Sequence, residues 1–259
     1  VGFVDQSLSA GPTVSVYVDE VPLPYSFMTK GSIFDLERVE VLKGPQGTLY
    51  GQNSTGGAFN YIAAKPTNEF SAGVDAEYGR FNTLDATGFV SGPLSSTLKG
   101  RLAVRTVQGG DWQKSYTRND TLGRQEQWQG RALLDWEPTE RLTVQINATG
   151  WIDKSDTIAP QVRKIDPQVP AGVISGVANY PLPPDDPRAA DWTPDRDYAR
   201  DDWFWMTAGR INYELSDDLR LVSITAYQKF STKAFYDNDG YTYLTGDRYG
   251  TGTVKTFNQ

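Results

Sequence analysis

The stretch Leu142-Thr143-Val144-Gln145-Ile146-Asn147-Ala148-Thr149 alternates apolar and polar residues without a break. Successive side chains of a β-strand point to opposite faces, so Leu142, Val144, Ile146 and Ala148 share one face. Thr143, Gln145, Asn147 and Thr149 share the other. The same period continues to Ile152 and recurs along the chain. Ser71 to Gly79 sets Ala72, Val74, Ala76 and Tyr78 against Asp75 and Glu77. Leu98 to Val107 sets Leu98, Gly100, Leu102 and Val104 against Lys99, Arg101 and Arg105. Gln127 to Trp136 sets Trp128, Gly130, Ala132, Leu134 and Trp136 against Gln127, Gln129, Arg131 and Asp135, with Leu133 out of pattern. Trp203 to Leu215 sets Trp203, Trp205, Ile211, Tyr213 and Leu215 against Arg210, Asn212 and Glu214. Further strands are predicted at 83–91, 219–231 and from Thr253 onward.

Composition narrows the classes that fit such strands. The 259 residues carry 25 Lys plus Arg against 32 Asp plus Glu, a formal net charge of -7. That balance gives no broad attraction to nucleic acid, and no nucleic-acid partner is expected. There is no Cys and no His, which removes thiolate and imidazole chemistry: no disulfide framework, no His-dependent triad, no Cys nucleophile. With no cofactor motif either, the chain is read as no enzyme, with no catalytic residue, no cofactor and no metal site. Mean hydropathy is -0.50, and no apolar run approaches the roughly 20 residues of a spanning helix. Alternating strands escape hydropathy plots, however, so a transmembrane β-barrel stays open. Two features favour it over a soluble sheet. Links at 92–97, 137–140 and 216–218 are tight, whereas those at about 108–125, 153–201 and 232–252 are long, as in barrels with short periplasmic turns and long external loops. Only the link at 80–82 breaks the alternation. Tyr78, Trp128, Trp136, Trp203 and Tyr213 also sit at strand ends on the apolar face, where membrane interfaces collect aromatic rings.

Residues 1 to 68 follow a different grammar. Thr13 to Pro22 reads as a strand ending in a turn, Ser32 to Arg38 as one helical turn capped by Ser32, and Val39 to Leu42 as a short strand. Gly44-Pro45-Gln46-Gly47-Thr48-Leu49-Tyr50-Gly51 reads as a tight loop, and Gly56-Gly57 leads into the strand Ala58 to Ala63. The loop lacks the terminal Gly-Lys-Ser/Thr of a phosphate-binding loop, so nucleotide binding is not expected.

Phe34 to Gly51, followed by Gly56-Gly57-Ala58-Phe59-Asn60-Tyr61-Ile62, closely resembles the plug signature of TonB-dependent outer-membrane receptors. Val14 to Pro22 looks like that family's plug strand and turn, and Gly88 to Leu94 like its first periplasmic turn. Lys43 stands where the family usually has Arg, and Phe59 where it often has Ile or Val. The resemblance implies a structural plug motif of Arg38, Glu40, Lys43, Gly44, Pro45, Gly47, Tyr50, Gly51, Gly56 and Gly57. It implies a mainly β protein with a small α+β plug (1–68) and a partial antiparallel barrel (69–259). About seven or eight strands would be present, out of the 22 or so that such plugged barrels use. The expectation is therefore a fragment: an open, curved sheet with the plug remnant on its concave, polar face. Arg38, Glu40 and Lys43 are expected to pair with wall charges such as Arg101, Arg105 or Arg131.

The implied function is active transport of a scarce nutrient (ferric siderophore, haem, cobalamin or carbohydrate) across the Gram-negative outer membrane. The implied partners are outer-membrane lipid, the ligand, and the TonB energy-coupling complex, the last through a segment absent from this chain. Alone, the chain is expected not to transport. Ligand-facing candidates are Gln52, Asn53, Trp112, Tyr116, Tyr180, Trp192, Tyr236 and Tyr241. Asp185, Asp186, Asp191, Asp195, Asp197, Asp201 and Asp202 are read as a solvated loop, since Arg188, Arg196 and Arg200 dilute any cation site. Asp237-Asn238-Asp239-Gly240 is read as a turn. Three glycosylation sequons, at Asn53, Asn119 and Asn147, are taken as chance. The alternatives are a passive porin-like barrel and a soluble β-rich binding module.

Overall fold

A computed structural model describes residues 13–31, 33–45, 55–165, 177, 179–243 and 246–259. The first unit is a four-stranded sheet of β1 (Val14–Val18), β2 (Val21–Leu23), β3 (Leu36–Lys43) and β4 (Gly57–Ala63), in the order β2-β1-β4-β3. β1 and β4 run parallel, and the other pairs are antiparallel. A two-residue turn joins β1 to β2 and puts Asp19 (φ 49°) and Glu20 (φ 70°) in the left-handed region. Hairpin turns of this kind normally take Asn-Gly, because positive φ crowds a Cβ. Here hydrogen bonds hold the turn. The Asp19 carboxylate accepts the Ala63 amide at 3.0 Å, and the Glu20 amide donates to Asn60 Oδ1 at 3.1 Å.

The helical turn lies upstream of the position read from the sequence. A 3-10 turn spans Ser26–Gly31, and the chain is already extended from Leu36. Ser32 lies outside the described residues. Gly31 packs flat on the Trp151 side chain, and a Cβ there would overlap the ring. Asp35 (φ 50°) then turns the chain into β3.

The second unit is one antiparallel meander of eight strands: β5 (Ser71–Gly79), β6 (Thr83–Pro93), β7 (Leu98–Gly109), β10 (Gln125–Thr139), β11 (Leu142–Asp153), β13 (Asp202–Ser216), β14 (Leu219–Tyr236) and β15 (Arg248–Asn258). Each strand pairs with its sequence neighbour, and β5 and β15 are the edges among the described residues. This bears out the mainly β reading and the strand array. β8 (Gln113–Ser115), β9 (Thr121–Leu122) and β12 (Ala189–Ala190) form a small third sheet above the meander. β10, β13 and β14 reach 15, 15 and 18 residues. A membrane-spanning strand needs only about 9–11, so these strands exceed that length, and the long loops leave from their ends.

Val74, Leu102, Val104, Trp128, Leu134, Trp136, Ile146, Ile152 and Tyr213 are exposed on the convex face. The concave face is not polar throughout, which corrects the sequence reading. Trp151, Phe204, Met206, Ala208, Ala226 and Phe230 point inward and form one buried cluster with Val18, Val21, Leu23 and Met28 of the first unit. Leu133, out of pattern by alternation, is buried on the same face. Where the plug covers the wall, an apolar side chain removes more surface from water than a polar one.

Candidate functional site

The seam between the plug and the concave wall combines that apolar cluster with charged bonds at its margins. Lys30, in the 3-10 turn, reaches Asp153 of β11 at 2.8 Å and Asp202 of β13 at 3.5 Å. Arg200, at the foot of the long upper loop, approaches the same carboxylates at 3.6 and 3.9 Å. Asp35 and Arg101 of β7 form a two-point pair, with Nε donating at 2.8 Å and a second bond from Nη2. Both side chains are nearly buried, and the Arg101 guanidinium also lies over the Phe89 ring at 3.9 Å. Arg131 is 2% exposed. Its Nη1 donates to the carbonyls of Phe34 (2.8 Å) and Asp35 (3.1 Å), and its guanidinium lies over the Phe34 ring at 4.8 Å. Arg105 adds a bond to the Ile33 carbonyl at 3.3 Å. Further along, Asn147 donates to Asp19 at 2.7 Å, Arg210 pairs with Glu20 at 2.9 Å, and Gln228 donates to the Pro22 carbonyl at 2.8 Å.

The wall arginines are thus engaged by plug residues other than those expected. Arg38 pairs with Glu37 and Glu40 on its own strand, and Glu40 also accepts from Asn60. These contacts lower the Glu40 carboxyl, through Asn60 first and then Arg38. Position in the plug sheet explains the difference. The wall is met by the β1–β2 turn and by the bends that flank the 3-10 turn, whereas Arg38 and Glu40 lie within β3, the strand farthest from β2 in the plug sheet. Lys43 and Pro45 are exposed. Gly44 (φ 79°) and Gly57 (φ 130°) hold backbone shapes that L side chains resist, and a Cβ on Gly57 would strike the Leu42 carbonyl. Gly56 packs on Val14. Gly47, Tyr50, Gly51, Gln52 and Asn53 lie outside the described residues.

Beneath the β1–β2 turn, toward the tight-turn end of the wall, lies a cleft of about 490 Å³. Glu20, Arg38 and Lys65 line it from the plug, and Asp135, Arg141 and Arg210 from the wall.

The upper loops pack into a second buried cluster rather than a solvated coil. Leu122, Ala159, Ala190, Trp192 and Tyr198 form its core. Asp202, also expected to be solvated, is buried at the seam, and Asp191, read the same way from the sequence, is fully buried. It accepts from Ser115 (2.7 Å), Thr117 (2.5 Å), Arg118 (2.8 Å) and Tyr180 (2.6 Å). Among the ligand-facing candidates, Tyr180 and Trp192 are buried. Tyr180 meets Tyr116, Tyr241 and Tyr243 edge-on, and burial, with Asp191 beside it, raises its hydroxyl. Trp192 donates to Asp120 at 3.1 Å and carries Arg118 over its ring. Tyr116, which donates to the Pro181 carbonyl, Tyr241, Trp112 and Tyr236 are half-buried. Asp237 closes its turn by accepting the Asp239 and Gly240 amides at 3.1 and 2.7 Å. Burial raises its carboxyl. No cluster of metal-ligating side chains occurs among the described residues.

A small plug sheet seated on the concave face of a curved antiparallel wall defines a class. Residues 2–58 match the family model described as the TonB-dependent receptor plug domain. The plug match thus covers the first unit, and the chain shares its fold with solved outer-membrane receptors. It is 31% identical over 132 residues to the pesticin receptor of Yersinia pestis, covering 50% of this chain and 20% of the relative. It is 34% identical over 110 residues to the ferripyoverdine receptor of Pseudomonas aeruginosa, covering 42% and 13%. The ferric yersiniabactin uptake receptor of Yersinia pestis superposes with a TM-score of 0.64 at 20% identity, over 88% of this chain and 33% of that one. The ferripyoverdine receptor of Pseudomonas aeruginosa gives 0.66 at 15%, over 94% and 32%. The chain therefore spans a fifth or less of the curated relatives it matches. These relatives are named as receptors, one of them an uptake receptor.

Proposed function

We propose that this chain supplies the plug and the first wall strands of an active outer-membrane receptor for a ferric siderophore, energised through TonB. Residues 1–68 act as plug, and 69–259 as wall with long external loops. The observation that carries the reading is the seam, where a plug matching the family is held to the wall through a few polar contacts around one apolar cluster. Such a seam is firm at rest and can be parted from its margins. The names of the ferripyoverdine, catecholate siderophore and ferric yersiniabactin receptors favour ferric chelates over haem, cobalamin or carbohydrate. Gln52, Asn53, Trp112, Tyr116, Tyr236 and Tyr241 remain the proposed ligand-facing positions, with Tyr180 and Trp192 supporting them from beneath.

The test is uptake of radioactive iron, supplied as ferripyoverdine or ferric enterobactin, in the host before and after deletion of the gene that encodes this chain. Loss of uptake of a ferric chelate is expected. Unchanged uptake of every chelate, with loss of another nutrient, would overturn the siderophore reading. The chain expressed by itself is expected not to restore uptake.

A further inference from the structure

Two wall carboxylates in the seam are each met by two cations, and only one of those cations belongs to the plug. Asp153 and Asp202, at the upper ends of β11 and β13, are 3% and 5% exposed. Lys30 Nζ lies 2.8 Å from Asp153 Oδ2 and 3.5 Å from Asp202 Oδ2. Arg200 Nη1 faces the same two oxygens at 3.6 and 3.9 Å. The charges balance, two against two, but the bonds are unequal. Lys30 makes a short hydrogen bond to Asp153, whereas Arg200 stands off beyond hydrogen-bond distance. Among the described residues, Arg200 Nε is buried with no hydrogen-bond partner. A guanidinium carries five donors in a fixed fork, so Arg200 waits beside both carboxylates with donors unused.

Backbone bonds tie Arg200 to the wall. Its amide donates to the Ser155 carbonyl at 3.1 Å, and it forms a bridge with Ala234 of β14. Two residues earlier, Tyr198 is buried in the loop cluster and stacks on Phe235 at 5.3 Å. The other carboxylate oxygens also have wall partners. The Ser155 amide donates to Asp153 Oδ1 at 3.0 Å, and the Thr232 hydroxyl to Asp202 Oδ1 at 2.6 Å. Of these groups, Lys30 alone travels with the plug. Its departure would strip both Oδ2 oxygens of their nearest cation, and a buried pair that loses one partner leaves an uncompensated charge at high cost.

We propose that Arg200 is a positioning residue for plug movement, a stand-in cation that closes onto Asp153 Oδ2 and Asp202 Oδ2 when Lys30 leaves. The forked guanidinium suits this task, since it can give separate donors to two carboxylates. Arg200 thereby lowers the cost of parting the seam without loosening the seated plug, because Lys30 holds the shorter bonds at rest. The proposal rests on the reading that the plug moves during transport. It carries a sign. An arginine that only braced the seam would, when removed, let the plug open more easily, whereas loss of a stand-in makes opening harder.

The test is hydrogen exchange on the full chain in detergent micelles, read at the amides of 26–31, whose exchange reports opening of the seam. Arg200→Gln is expected to slow that exchange on the order of tenfold. Arg200→Lys keeps the charge and is expected to stay near the wild type. Arg200→Gln with Asp202→Asn carries the same change in the loop but one negative charge fewer, and is expected to bring exchange back toward the wild type. Comparing the single with the double variant separates the charge effect from any disturbance of the loop. Unchanged or faster exchange in Arg200→Gln, or equal slowing in the single and double variants, would overturn the proposal. In the host, uptake of ferripyoverdine is expected to fall in Arg200→Gln by more than its binding to cells falls, and an equal fall would overturn the role in transport. If deleting the gene leaves chelate uptake unchanged, the siderophore reading fails, while the exchange comparison still decides the role of Arg200.

Discussion

The plug–wall seam and the upper loop layer both bury charge against aromatic rings, yet they close different circuits. In the seam, Asp35, Lys30, Asp19 and Glu20 belong to the plug, and their partners Arg101, Asp153, Asn147 and Arg210 belong to the wall. Each bond spans two bodies. In the loop layer, Asp191 gathers Ser115, Thr117, Arg118 and Tyr180 from two adjoining long loops. Losing a seam bond loosens one unit from another. Losing Asp191 disorders a surface without freeing the plug. Similar physical means therefore serve docking in one place and shape in the other.

Three substitutions test this contrast. The largest effect is expected from Asp191→Ala, which leaves four donors without an acceptor and the Arg118 charge without its buried partner. A local cost of about 3–5 kcal/mol follows. In hydrogen exchange, amides of 111–122 and 189–193 should lose protection while those of 14–43 keep theirs, and equal loss in both regions would break the contrast. Asp35→Ala should act the other way. It orphans the nearly buried Arg101, at about 3 kcal/mol because the Phe89 ring still covers the guanidinium. Plug amides should exchange faster and loop amides should not.

The smallest effect concerns acidity. Burial raises the Asp237 carboxyl above its ordinary 3.8, with Asp239 adding repulsion, while amide bonds from Gly240, Asp239 and Thr193 oppose the shift. Tyr198 also faces Asp237 and shares its hydroxyl with Asp247. The folded loop thus holds this proton more tightly than the unfolded chain does. The resulting stabilisation is complete below pH 3.8 and is lost as pH rises through the raised value. Asp237→Asn should flatten that dependence, read as exchange of the Gly240 amide across mildly acidic pH. An unchanged slope would assign the dependence to another group.

The sequence made the wall legible because lipid on one side imposes a period of two, which Leu142 to Thr149 displays without exception. The plug was legible through a family motif rather than through periodicity, and there local reading failed. Ser32 to Arg38 looked like a capped helical turn, but Gly31 had to lie on Trp151 and Asp35 had to face Arg101. Neither partner is near in sequence. Leu133, Phe204 and Met206 were visible signs of the seam, because apolar residues in phase with polar ones mark where a second body sits. Asp191 and Asp202 gave no comparable sign, since nothing among the seven aspartates distinguishes those whose donors arrive from elsewhere in the chain. The burial of Tyr180 and Trp192 was hidden for the same reason.

The bond from Gln228 to the Pro22 carbonyl joins residues 206 positions apart, and Arg210 to Glu20 joins residues 190 apart. The meander, by contrast, pairs only neighbours in sequence. Closing a long loop carries an entropy cost that grows slowly with its length and must be met before the contact returns anything. The wall can therefore zip up strand after strand while the plug waits. Lys30 finds its second aspartate only once β13 is laid down, and Pro22 its donor only with β14. In the order of assembly, the plug comes before the wall along the chain and is fastened after it.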